Sequence, residues 1–192
     1  MKTLHALANP VVAAILAALV LVSAVAAPPA AADPERELDA LFETLADPDL
    51  SDWEPIEGEI WRRWSQSGSA AMDLLLGRAR EALEAGEIDV AIEHLTALTD
   101  HAPGFAEGWN ARAAAFYRVG RFGPAMADLR RALALNPRHF GALAGLGVLL
   151  EETGDETGAL AAYRAALAVH PHRPNLIEAE RRLDRKVSGK SI

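Results

Sequence analysis

Residues 106–139 read AEGWNARAAAFYRVGRFGPAMADLRRALALNPRH, and residues 140–173 read FGALAGLGVLLEETGDETGALAAYRAALAVHPHR. Laid one above the other, the two blocks align Gly120 with Gly154, Ala125 with Ala159 and Pro137 with Pro171. The same step back again meets Gly86, Ala91 and Pro103. Gly and Pro each make up roughly 5–7% of ordinary sequence, so three such columns are no accident of composition. Each block also carries its own punctuation. The Gly sits where a first helix can end in left-handed geometry, and the Pro sits where a second helix must stop. Gly154-Asp155 pairs that Gly with an acid placed to cap the next helix, and Pro124 falls in a first turn, where its missing N–H costs nothing. The blocks 72–105, 106–139 and 140–173 are therefore three helical hairpins in series.

The rest of the composition agrees. Of 192 residues 51% are hydrophobic but only 6% aromatic, and Ala dominates, as close helix–helix contact requires. There is no cysteine, which removes disulfides, thiolate metal sites and a Cys nucleophile. Only Lys2 of the 19 basic residues precedes Asp33, and none of the 27 acids does. The part from Asp33 onward thus holds 18 basic and 27 acidic side chains, a net charge near −9. Such a surface repels nucleic acid and anionic lipid, and no nucleic-acid partner is expected.

The segment before Asp33 differs from everything after it. Pro10 precedes the apolar run 11–22, then Ser23 and Ala24-Val25-Ala26. This is the pattern of a secretory signal peptide cut after Ala26, with 27–32 as linker and a second candidate cut after Ala32. The alternative is a retained anchor, since the stretch 11–27 reaches the lower limit of about 17 residues for a membrane span. The expected location is the periplasm, or the inner membrane facing the periplasm if the leader stays.

Residues 33–69 fall outside the repeat frame. Asp33-Pro34-Glu35 starts a helix with Leu38, Leu41, Phe42 and Leu45 on one stripe. A second helix is expected from about Ser51 to Ser65, with Trp53, Ile56, Ile60 and Trp64 on one face and Trp61 at its margin. The pair reads as an N-terminal cap over the open end of the repeats, the alternative being an aromatic docking patch of Trp53, Trp61 and Trp64. After Arg173-Pro174, a last helix to about Lys186 with Leu176, Ile177 and Leu183 closes the other end, within 174–192.

The repeats resemble the tetratricopeptide (TPR) family, which shares their period and whose pattern is W-x2-L-G-x2-Y, then A-x3-F, then P. Its counterparts are Trp109, Arg112, Ala113 and Phe116, then Ala125, Leu129 and Pro137 in the second block. In the third they are Leu143, Leu146, Gly147 and Leu150, then Ala159, Tyr163 and Pro171. The first block is weaker, with Leu75, Arg78, Ala79, Ala82, Ala91, Leu95 and Pro103. Arg78 and Arg112 depart from the expected Leu; their stems are expected to lie across the adjacent helix with the guanidinium in water. The resemblance covers about 100 of 192 residues. It implies an all-α, right-handed solenoid of three hairpins with helices capping both ends.

It also implies that first helices line a concave groove that binds a protein or peptide. The matching columns nominate Leu76, Arg80, Asn110, Ala114, Tyr117, Ala144, Val148 and Glu151 as groove residues. TPR domains that clamp a chaperone's terminal carboxylate use Lys, Asn and Arg in columns that hold Leu76, Arg80, Ala111, Gly141 and Gly145 here. One cation of that set remains, so a carboxylate clamp is not expected. The floor at Gly141, Ala144, Gly145 and Val148 is small and apolar, suited either to an amphipathic peptide or to the chain's own terminal segments.

No catalytic residue, metal site or cofactor is expected. Glu151-Glu152 and Asp155-Glu156 straddle a helix end, where acids cap and solubilise rather than face each other across a cleft. His139, His170 and His172 lie beside the helix-ending prolines, where polar residues are expected to project from loops, and no zinc spacing or nucleotide fingerprint is present.

Overall fold

The computed structural model describes residues 33–189; the leader and linker readings lie outside them. The described residues form helices alone, and the compact unit discussed here begins at Glu37. In chain order the helices are α1 (Pro34–Leu45), α2 (Glu54–Trp64), α3 (Ala70–Ala85), α4 (Ile88–His101), α5 (Ala106–Arg118), α6 (Phe122–Leu135), α7 (Phe140–Glu152), α8 (Glu156–Val169) and α9 (Pro174–Val187).

The three hairpins are α3–α4, α5–α6 and α7–α8. Each turns at its aligned glycine, with φ of +79° at Gly86, +71° at Gly120 and +85° at Gly154, the region where a side chain is strained. The residue after each glycine donates back across the helix end: Glu87 N to Ala82 O, Arg121 N to Phe116 O and Asp155 N to Leu150 O, at 2.8–2.9 Å. The same closure recurs at every aligned glycine, so one local rule builds all three turns.

Inside each hairpin the small residues touch. Ala79 and Ala91, Ala113 and Ala125, and Gly147 and Ala159 are all buried. In the third unit the contact tightens further, since a Cβ on Gly147 would lie 2.5 Å from the Tyr163 ring. Between units, each first helix presses on the second helix of the unit before. A Cβ on Gly108 of α5 would meet Leu98 of α4 at 3.2 Å, and Ala115 joins the Leu95–Leu98 core. Ala142 and Leu149 of α7 pack with Leu129 of α6, and Leu176 and Leu183 of α9 pack with Tyr163 of α8. Helix α9 is in effect the first helix of a fourth unit, one repeat length beyond α7, tied down by Arg164 to Glu180 and Asp184 at 2.8 and 2.6 Å.

Arg112 departs from its expected setting. Its guanidinium is not in water: it forms a two-pronged pair with buried Asp128 at 2.7 and 2.9 Å and donates to Thr99 Oγ1 at 2.7 Å. Two charges and a hydroxyl thus stand where the repeat pattern has a leucine, and the pairing satisfies what burial would otherwise penalise. Arg78, its counterpart in the first unit, is exposed.

Helix α2 begins later than its apolar stripe suggests, at Glu54, because Pro55 fits only the first turn and leaves Trp53 as the residue before the helix. The hairpin α1–α2 also lands elsewhere than the open end of the first repeat. Its core of Phe42, Leu45, Ile60 and Trp64 closes on Phe140 and Val169, from the turns before and after the third hairpin. The reason is chemical: aromatic rings gather at those turns (Phe140, His139, His170, His172), whereas the outer side of α3 has none.

Candidate functional site: the concave face and the hairpin along its edge

The first helices of the hairpins start from the inter-repeat turns, and the α1–α2 hairpin packs on the turns before and after α7–α8. Trp64 stacks on His139 at 4.3 Å between centroids, and Trp61 meets Phe140 and His139 edge-on at 5.4 and 5.5 Å. Trp53 stands edge-on to His170 at 5.1 Å. The three tryptophans therefore face their own chain, and the reading of them as a docking patch for another molecule does not hold for the stripe as a whole.

Polar groups fasten the same seam. The buried Glu57 carboxylate accepts from Trp61 Nε1 at 3.0 Å and Arg173 at 2.5 Å, and lies 3.0 Å from His170 Nε2. Burial pushes its pKa up, but the His170 and Trp61 hydrogen bonds and the Arg173 charge outweigh that and hold the carboxyl at about 2. A second cluster sits one turn earlier. Buried Glu107 accepts from Arg80 at 2.7 Å and Asn110 at 2.9 Å and lies 3.1 Å from His139 Nε2. His139 Nδ1 in turn accepts from Ala142 N at 3.1 Å, capping α7 and leaving Nε2 as the donor to Glu107. Arg80 also donates to Ser65 Oγ at 3.0 Å, and His172 Nε2 donates to Leu45 O at 2.9 Å.

His139 and His170 are thus fully buried rather than loop-exposed, each held by one carboxylate. The signal that pointed to this was present in the sequence, as a glutamate inside the tryptophan stripe of α2, but its partner His170 stands at the far end of the repeats. Among the described residues no three His, Cys, Asp or Glu side chains converge to hold a metal.

The nominated groove residues separate into four groups. Leu76 is core, packed with Ala79, Leu95 and Leu98. Arg80 is committed to Glu107 and Ser65. Ala144 and Val148 lean on the α8–α9 core, and Glu151 is engaged by Arg182 and the Tyr163 hydroxyl, with its pKa lowered chiefly by Arg182. Tyr163 itself is pushed up to about 12 by burial and the Glu151 charge.

Asn110, Ala114 and Tyr117 are brought together on one cavity of about 200 Å³, completed by Gly141, Gly145, Leu129 and Trp61. Trp61 is the wall that sequence reasoning missed. It lies so close over Gly141 that a Cβ there would be 2.5 Å from Cη2. The small apolar floor is therefore shared: Trp61 covers its Gly141 end, α9 backs its far side, and the part beside Ala114 stays open to solvent. Tyr117 keeps its ring on Phe122 at 5.7 Å and its hydroxyl 3.3 Å from Glu152.

The model of the family described as tetratricopeptide repeat matches residues 76–125 and 111–174. A TPR repeat-containing protein of Rhizobium etli is 33% identical over 163 residues, 83% of this chain and 79% of that protein. The chain belongs to the tetratricopeptide repeat family. Among solved structures, the first TPR domain of Spaghetti (RPAP3), bound to an HSP90 peptide, superposes with a TM-score of 0.60 at 22% identity, covering 62% of this chain and 95% of that one. The crystal structure of MamA superposes with a TM-score of 0.58 at 20% identity, covering 73% and 85%. Both likenesses concern the fold, and both describe a helical repeat solenoid.

Proposed function

We propose that this protein is an exported, non-catalytic binding module that acts as a scaffold or assembly factor by holding another protein in its concave groove. The observation that carries the reading is the open cavity between α5, α7 and Trp61. It is large enough for one apolar side chain, walled by Ala114, Gly145 and Leu129, and rimmed by Asn110 and Tyr117. Their side-chain oxygens keep acceptor capacity for a ligand backbone N–H, while Asn110 Nδ2 and the Tyr117 hydroxyl proton go to Glu107 and Glu152. The Spaghetti domain holds its peptide on the same fold. In this chain the clamp is not ionic, because Arg80 is already spent on Glu107. The acids and histidines that chemistry would need are engaged in structural pairs, which favours binding over catalysis. Export rests on the leader pattern of residues 1–26; no described helix is long and apolar enough to cross a membrane.

The test is capture from the native envelope fraction with the parent and with Ala114→Arg. Ala114 is exposed, so the variant keeps the parent's melting midpoint while its side chain fills the cavity. A partner held by the parent and lost by the variant supports groove binding. The same partners on both would put the functional surface elsewhere. In the same preparation, a mature chain beginning near Ala27 or Asp33 supports release into the periplasm, and an intact leader supports the anchored form.

A further inference from the structure

Each first helix after α3 buries a seam on the unit before it: Gly108, Arg112 and Ala115 on α5, then Ala142, Leu146 and Leu149 on α7. One repeat earlier the same positions are Leu74, Arg78 and Glu81 of α3. Among the described residues nothing packs over them. Leu74 is 54% exposed, the largest value of any bulky hydrophobic described, and Arg78, Glu81 and Ala85 are exposed along the same stripe. Chain order would bring α1–α2 here, but that hairpin is committed to the turns around Phe140.

We propose that this face of α3 is the interface with a second copy of the chain, the two α3 helices packing antiparallel about a two-fold axis. The stripe is complementary to itself in that arrangement. Leu74 of one copy meets Ala85 of the other, and Arg78 meets Glu81, each contact made twice. Gly77 beside the stripe has open space where a Cβ would stand, which lets the helices approach. A parallel pairing would set Arg78 against Arg78. Docking on the outer face of α9, which carries Glu178 beside Arg181 and Arg185, would extend from copy to copy without closing. A two-fold contact closes on itself and matches both charges.

The experiment is sedimentation equilibrium of the full chain, expressed with its own leader, at low ionic strength. The parent sediments as a dimer. Arg78→Glu and Glu81→Arg, both at exposed positions, keep the parent's far-ultraviolet circular dichroism spectrum but weaken self-association by about tenfold or more, because two pairs turn from attractive to repulsive at once. An equimolar mixture of the two variants restores the dimer, since an all-acidic stripe then meets an all-basic one. A monomeric parent, single variants that stay dimeric, or a ladder of longer oligomers would each overturn the proposal.

Discussion

Glu57→Gln separates the hairpin from the repeats energetically. The carboxyl is held at about 2, against its usual 4.5, so its ionised form is stabilised in the fold by on the order of 3 kcal/mol. A depressed carboxyl contributes stability above 4.5 and loses it as pH falls from 4.5 towards 2. The amide cannot carry the charge that Arg173 and His170 bind, so most of that contribution disappears at neutral pH. Three of the four tryptophans, Trp53, Trp61 and Trp64, lie in or beside α2, whereas most of the helix belongs to the repeats. Tryptophan emission therefore follows the hairpin and far-ultraviolet circular dichroism follows the repeats. In a urea titration at pH 7 the variant's emission transition moves to lower denaturant, ahead of its dichroism transition. The parent shows the same separation only as pH is lowered from 5 towards 3, and the variant's separation does not change over that range. Coincident transitions for the variant, at the parent's midpoint, would refute the reasoning, because the hairpin would then be held by its aromatic contacts alone.

Two further outcomes follow from the repeats. Gly147→Ala gains about 1 kcal/mol of helix propensity but drives a methyl against the buried Tyr163 ring, whose hydroxyl lies 3.2 Å from Glu151; overpacking of ~1–3 kcal/mol prevails and the urea midpoint falls. A raised midpoint would show that the ring yields freely. Arg112→Ala strands buried Asp128 and costs about 3–5 kcal/mol by the same titration, whereas the double change Arg112→Met with Asp128→Leu comes within about 1 kcal/mol of the parent or exceeds it. A double variant as unstable as the single one would mean that packing rather than charge makes the site.

The repeated unit is written in the amino-acid order alone. Helix ends, left-handed glycines, proline stops and small contact residues act within a few positions of one another, so a common period in Gly, Ala and Pro is enough to specify three hairpins and their phase. Asn110, Ala114 and Tyr117 fall on one helix face by spacing alone and line one cavity, whereas Leu76, Arg80, Ala144, Val148 and Glu151, nominated by the same columns, are taken up by contacts within the fold. What lies across sequence was not legible. Glu57 binds His170 and Arg173, Trp61 lies over Gly141, and Arg112 finds Asp128 and Thr99 on two neighbouring helices. Amphipathic spacing shows that α2 must bury its tryptophans, but it is blind to which surface receives them. That surface is settled in three dimensions: the hairpin follows the aromatic turns, because burying rings and charges there satisfies both at once, and among the described residues nothing covers the outer face of α3.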